Sequence, residues 1–263
     1  MKKINEALIE RNLKSPYLNF AYNTYTQFGD NGIINKLLNE LKITSGVLVD
    51  IGAWDGIYLS NVFDLWNNKN YNAILVEADP RKANNLLQLS NKTSKIEAYN
   101  TLVSSDRNSP NCIEQIINKS QFDVSGDNLI IINIDIDGDD YGVFNSVVDY
   151  KPIIFIVETA GGWDWDTEYI GQGASLKSLT NLANDKGYTL VCCNGNAYFV
   201  RNDKISMLEN FDSNLTIEDY HMKDDFVNGI LTNLNPEGEV LDYMYWQDQS
   251  YLNFIDSERL KVS

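Results

Sequence analysis

Five carboxylates fall within two short stretches in the middle of the chain. Asp135, Asp137, Asp139 and Asp140 crowd the exit of the apolar run 129–136, and Glu158 closes the next apolar run, 153–157. Asp135 and Asp137 are two apart, so they share one face if the strand reaches them. Carboxylates gathered this way can bind Mg²⁺ or Mn²⁺, or one of them can act as a general base. A second constellation lies earlier. Residues 47–49 are apolar, Asp50 and Ile51 follow, and a turn holding Gly52 and Gly56 leads into a stretch that reads as a helix start. Strand, glycine turn and helix make the opening unit of an α/β nucleotide-binding domain. Gly52 offers free backbone angles and no side chain to block a ligand. The helix beyond offers unpaired N–H groups. The run 73–76 then ends in Glu77, whose carboxylate can accept from both hydroxyls of a ribose. His221 is the only histidine; its ordinary pKa suits a base, and its acidic neighbours Asp219, Asp224 and Asp225 suit an ordinary surface residue equally. Trp163, Trp165 and Tyr169 sit in a loop rich in Gly, Trp and acid, where they can stack on a sugar or nucleotide or anchor the loop.

These groups need a scaffold that brings the strand ends together. The pattern predicts strands over 47–51, 73–77, 96–103, 129–136 and 153–157, with helices over about 57–67, 80–90, 112–118, 141–148 and 174–186. Pro80 suits the first turn of its helix. Two more strands, 189–193 and 197–201, meet through Asn194-Gly195-Asn196, a strong hairpin signal. Ahead of the first strand, residues 3–14 read as a short polar helix stopped by Pro16. Asp30 reads as the N-cap of a helix carrying Ile33, Ile34, Leu37, Leu38 and Leu41. Tyr17, Phe20, Tyr22, Tyr25 and Phe28 precede it, as packing or as a lid. The expected organisation is a helical N-terminal segment (1–45), an α/β core (46–205) and a C-terminal extension (206–263) packed on that core. Tyr243, Tyr245, Trp246, Tyr251 and Phe254 in the extension suit packing, a homo-oligomer contact or a substrate platform.

Composition removes some classes. With 21 Lys and Arg against 37 Asp and Glu in 263 residues, the net charge is −16. Such a surface repels phosphate backbones, so nucleic acid is not an expected partner. No run of about 18 apolar residues exists, and the first residues carry no apolar secretion-signal core. Three cysteines without metal-knuckle spacing fit a reduced, cytoplasmic protein.

The turn Gly52-Ala53-Trp54-Asp55-Gly56 is not the G-x-G-x-x-G of dinucleotide oxidoreductases. The ordered set DIGAWDG (50–56), VEADP (76–80) and NIDIDGDDY (133–141) resembles S-adenosylmethionine-dependent methyltransferases. It is most similar to FkbM-like enzymes and more loosely to macrocin-type sugar O-methyltransferases. TQFGDNGII (26–34), YIGQGASLKSL (169–179), KGY (186–188) and NAYFVR (196–201) agree, so the resemblance spans about residues 25–203. It implies a class I methyltransferase fold, Rossmann-like: a seven-stranded, mostly parallel sheet with strand seven antiparallel and helices on both faces. By position it places Gly52, Ala53, Asp55 and Gly56 at the methionine part of the cofactor, Glu77 at the ribose and Ala78 at the adenine. Gln27, Ser60, Asn61 and Asp135 are further cofactor candidates. Macrocin-type enzymes bind Mg²⁺ through Asp-Gly-Asp-x-Tyr, matched here by Asp137-Gly138-Asp139-Asp140-Tyr141. The paired Asp they place after the next strand is replaced by Glu158-Thr159-Ala160. Asp137 and Glu158 are therefore candidate metal ligands, and Asp137, Asp135, Glu158 and His221 candidate catalytic groups.

The resemblance implies a sugar O-methyltransferase using S-adenosylmethionine, its substrate a sugar or nucleotide-activated sugar for surface polysaccharide. N- or O-methylation of a small natural product is the rival enzyme reading, and a non-catalytic cofactor-binding scaffold the rival without chemistry.

Overall fold

The computed structural model describes residues 2–10, 13–222 and 224–262. Seven strands form one sheet: β1 (Ser45–Ile51), β2 (Asn70–Glu77), β3 (Ile96–Asn100), β4 (Leu129–Ile134), β5 (Ile154–Glu158), β6 (Tyr188–Cys193) and β7 (Asn196–Arg201). Their order is β3-β2-β1-β4-β5-β7-β6. Strands β1 to β5 run parallel, and β7 lies antiparallel to both β5 and β6. The seven strands and the reversed last one are as expected.

The strands are central because both of their faces are apolar. Val47, Val49 and Ile51 pack on one side of β1 and Leu48 on the other, the alternation a pleated strand imposes. Leu48 and Val49 are fully buried, each contributing about 1.5–3 kcal/mol. One face carries α1 (Ile4–Glu10), α2 (Asp30–Glu40), α3 (Phe63–Asn68), α4 (Pro80–Ser90) and α10 (Gln249–Lys261). The other carries α5 (Ile113–Ile117), α6 (Asp140–Ser146) and α7 (Leu176–Asp185), through residues such as Ile116, Phe144 and Leu179. Two short helices, α8 (Ile217–Tyr220) and α9 (Asp224–Gly229), link these to the C-terminal helix.

Several boundaries differ from expectation. The expected helix at 3–14 is α1 alone, and residues 11 and 12 lie outside the described residues. The helix after β1 begins at Phe63, six positions later than expected. Trp54 and Leu59 take left-handed backbone angles, φ 50° and 54°, which no helix accommodates. The Ser60 hydroxyl then accepts from the Val62 and Phe63 N–H groups and starts α3. Strand β4 stops at Ile134, because Asp137 is also left-handed at φ 53°. β3 stops at Asn100. Asp30 is not the cap of α2: Gly29 holds that position, and Asp30 is the buried first residue of the helix.

The C-terminal segment packs on the core. Leu208, Phe226, Leu231, Tyr251 and Ile255 are buried in the same cluster as α2, and Phe254 stacks on Tyr25 at 5.4 Å. No helix among the described residues is long and apolar enough to cross a membrane.

Candidate functional site

The C-terminal ends of β1, β2, β4 and β5 open into one cleft of about 260 Å³. The chain reverses sharply at each end, and that geometry decides which side chains reach it. At β1, Gly52 has φ 92°, and a Cβ there would lie 1.7 Å from the Asp135 carbonyl oxygen. Only glycine lets the two strand exits approach this closely. The Gly52 and Ala53 N–H groups both donate to the Val76 carbonyl, tying this turn to β2.

At the end of β2, the Glu77 carboxylate is nearly buried. One oxygen accepts from the Trp54 N–H at 2.9 Å and the other from the Asp79 N–H at 2.7 Å. These bonds aim the carboxylate into the cleft and leave lone pairs for a ligand. Trp54 itself is half-exposed on the rim, with the Lys82 ammonium 3.2 Å from its ring centre. Ala78, Thr101, Leu102 and Val103 complete this end.

At the other end the acidic stretch divides into two roles. Asp139 caps α6 through the Gly142 N–H, and the buried Asp140 accepts from the Ile136 and Gly138 N–H groups. Both shape the turn. Asp135, Asp137 and Glu158 line the cleft instead, each offering an oxygen within 4.8 Å of the others. The strand does not carry Asp135 and Asp137 on one face, as the spacing had suggested; the left-handed turn at Asp137 brings them together. Burial, then the Asp140 and Asp137 charges, raises Glu158 to about 7. Burial, then the charge of Glu158, holds Asp135 well above the usual carboxylate range. Both carboxyls therefore hold a proton more tightly than isolated ones do.

Asn196 stands directly across the sheet from Glu158. Its amide donates to Asp30 at 3.0 Å, and its side-chain oxygen is buried in the cleft wall with no partner among the described residues. An orphaned acceptor in a cleft fits a ligand that brings a donor. Asp30 also accepts from Asn194 and Tyr198, so the N-terminal segment clamps the β6–β7 hairpin against the site.

Of the candidates, Gln27, Gly52, Asn61, Glu77, Ala78, Asp135, Asp137 and Glu158 line this one cleft. The rest do not. Asp55 turns away: one oxygen accepts from the Ile57 and Tyr58 N–H groups, and the other faces Arg259. Gly56, at φ 81°, packs under Leu86 in the core, and Ala53 is buried through its backbone role. Ser60 is used in starting α3. His221 lines a neighbouring cavity of about 220 Å³ that meets the cleft at Phe28 and Glu158. Its Nε2 donates to the Trp163 carbonyl at 2.8 Å, which fixes the loop after β5. Trp163 stacks on Tyr169 at 4.3 Å and lines that cavity too.

The sequence reading overlooked Asp50, Trp54, Lys82 and Asn196. Asp50 had a signal: it is a charge inside an apolar strand. It is buried beneath the cleft, receives the Asn133 amide at 2.7 Å, and Asn133 in turn accepts from Asn61. Burial raises it to about 6. Asn196 carried no local signal, since its role depends on Asp30.

No family model matches the chain, and no curated protein matches it. Solved structures do. A precorrin-6y C5,15-methyltransferase from Geobacter metallireducens GS-15 is 13% identical, with 64% of this chain and 85% of that one covered and a TM-score of 0.38. An O-methyltransferase family protein from Burkholderia thailandensis is 10% identical over 64% and 54% of the two chains, TM-score 0.41. Methyltransferase FkbM from Methylobacillus flagellatus KT is 19% identical over 59% and 44%, TM-score 0.40. The fold, defined by its strand order and reversed seventh strand, is the class I methyltransferase Rossmann-like fold.

Proposed function

We propose that the chain is an FkbM-like, S-adenosylmethionine-dependent O-methyltransferase acting on a sugar hydroxyl. The observation that carries this reading is one cleft with two chemically distinct ends: Glu77 presented by backbone N–H groups at one, and the Asp135–Glu158 pair at the other. The residues fit the cofactor. Glu77 would take the ribose hydroxyls, Ala78 and Val103 would border the adenine, and Gly52 leaves room for the methionine part. When bound, S-adenosylmethionine supplies a methyl group already activated on sulfur.

The chain's own task is to align a hydroxyl and remove its proton. Glu158 and Asp135 share a raised proton affinity, which suits proton removal near neutral pH. The unpartnered Asn196 oxygen, beside Glu158, would receive a donor from the acceptor. The adjoining cavity, with Trp163 and His221 in its wall, gives the acceptor a place that meets the cleft at Glu158. A metal reading stands beside this one on a single observation, the convergence of Asp135, Asp137 and Glu158 oxygens. Those residues would hold Mg²⁺ or Mn²⁺, which would lower the pKa of a bound hydroxyl.

A nucleotide-activated sugar for surface polysaccharide is the proposed substrate form. The test is mass spectrometry on a panel of nucleotide sugars and free glycosides incubated with protein and S-adenosylmethionine. A gain of one methylene on a sugar supports the reading. Turnover confined to amines or to nucleic acid refutes it.

A further inference from the structure

The turn between β1 and α3 forms one wall of the cleft through Trp54, Tyr58, Leu59 and Asn61, yet two of its residues take backbone angles that local propensity opposes. Trp54 and Leu59 are non-glycine residues at φ 50° and 54°. Such residues persist only where their surroundings over-determine them. Glu77 holds the Trp54 N–H, and the rest of the restraint comes from the far end of the chain. Asp55 is buried, and its one outward oxygen is bound by the Arg259 guanidinium, from Nε at 3.0 Å and from Nη2. Its other oxygen accepts from the Ile57 and Tyr58 N–H groups, at 3.1 and 2.9 Å. Tyr251, fully buried two turns earlier in α10, packs its ring 6.2 Å from that of Tyr58, and its hydroxyl donates to the Tyr25 carbonyl.

We infer that α10 is a brace that sets the conformation of the cofactor turn, with Arg259 a positioning residue acting through Asp55. A motif acid that faces Arg259 rather than the cleft thereby gains a role: it converts a charge on the last helix into the shape of the cofactor wall. Removing Arg259 would leave a buried carboxylate without its partner. Asp55 would then seek water, and the turn that it ties together would loosen. The inference rests on the proposal that this cleft takes S-adenosylmethionine.

The test uses the full chain with Arg259→Ala, Arg259→Lys and Tyr251→Phe. Amide hydrogen exchange is read without ligand, and calorimetry is run with S-adenosylhomocysteine. Arg259 is half-exposed in the last turn of α10, so the fold should survive its loss. In Arg259→Ala, the Ile57 and Tyr58 amides should exchange at least about tenfold faster while β1 and β4 do not change, and the dissociation constant should rise about tenfold. Arg259→Lys should recover much of both effects. Tyr251→Phe, which keeps the ring against Tyr58 and loses only the bond to the Tyr25 carbonyl, should leave the Ile57 and Tyr58 amides protected. Unchanged exchange in Arg259→Ala overturns the brace. Faster exchange with an unchanged dissociation constant overturns the positioning role. If the wild-type chain does not bind S-adenosylhomocysteine, the cofactor reading fails and the positioning role with it, while the exchange profile still decides whether α10 holds the turn.

Discussion

Replacing Glu77 by alanine should weaken S-adenosylhomocysteine binding by about 2–3 kcal/mol, or roughly 30- to 150-fold. The magnitude follows from the carboxylate's partners. Each oxygen already accepts one backbone N–H, from Trp54 or from Asp79, so the free carboxylate is held in place before ligand arrives. Two ribose hydroxyls would add two charge-assisted bonds, each worth about 1.5–3 kcal/mol at most. Water replaces part of that in the variant, which brings the sum down to the stated range. The variant also strips two backbone donors of their acceptor, and Trp54 is the one in a left-handed conformation. Glu77→Gln should recover less than half of the loss. Its amide has one acceptor oxygen, so its NH₂ must face a backbone N–H that also donates. Titration calorimetry at fixed ionic strength measures both variants, with 5′-methylthioadenosine as a second ligand that keeps the ribose and lacks the amino acid. Both ligands should weaken by the same factor, because Glu77 reads only the ribose. Unchanged affinity in Glu77→Ala would remove this carboxylate from the site. Weakening for S-adenosylhomocysteine alone would place it at the methionine end.

Asp137→Asn should leave cofactor affinity nearly unchanged and lower turnover by about 10²–10⁴ if the carboxylate takes part in proton removal; near-normal turnover would pass attention to Asp135, Glu158 and then His221. If the three carboxylates hold a metal, chelator should abolish wild-type turnover and Mg²⁺ or Mn²⁺ should restore it, whereas full activity in chelator leaves the base role alone. Gly52→Ala should destabilise the chain by about 3 kcal/mol or more in urea melts, because its methyl would overlap the Asp135 carbonyl; a loss below about 1 kcal/mol would refute the close approach. Asp50 has a folded pKa raised from 3.8 to about 6, mainly by burial. The native state thus binds more protons than the unfolded chain between about pH 4 and 6, so stability falls as pH rises through that window, by up to about 3 kcal/mol. Asp50→Asn should remove this fall, and parallel melts at pH 4, 6 and 8 that keep the same slope in the variant would refute it.

The strands were legible in the sequence because their signal is local. Val47–Val49, 73–76 and 129–132 are apolar on both faces, the mark of a strand covered on both sides. Asn194-Gly195 marked the reversed last strand for the same reason: a two-residue turn depends on its own residues. Gly52 and Glu77 were legible as cleft residues too, since each closes an apolar strand, although the Trp54 N–H that orients Glu77 comes from another turn. The start of α3 was not, because local propensity opposes the left-handed angles at Trp54 and Leu59, and the turn that carries them is held by distant residues, Glu77 on β2 and Arg259 on α10. Asp30 read as a cap from its neighbours alone; it is a hub only because the hairpin, over 160 residues later, arrives beside it. Asp55 shows the limit most directly. Its place in the glycine turn pointed to a ligand, and a single arginine on the last helix turned it away. Sequence by itself determined which segments are strands and which acids end them. Tertiary structure decided which of those acids face the cleft, because that depends on which distant charge or amide each one meets first.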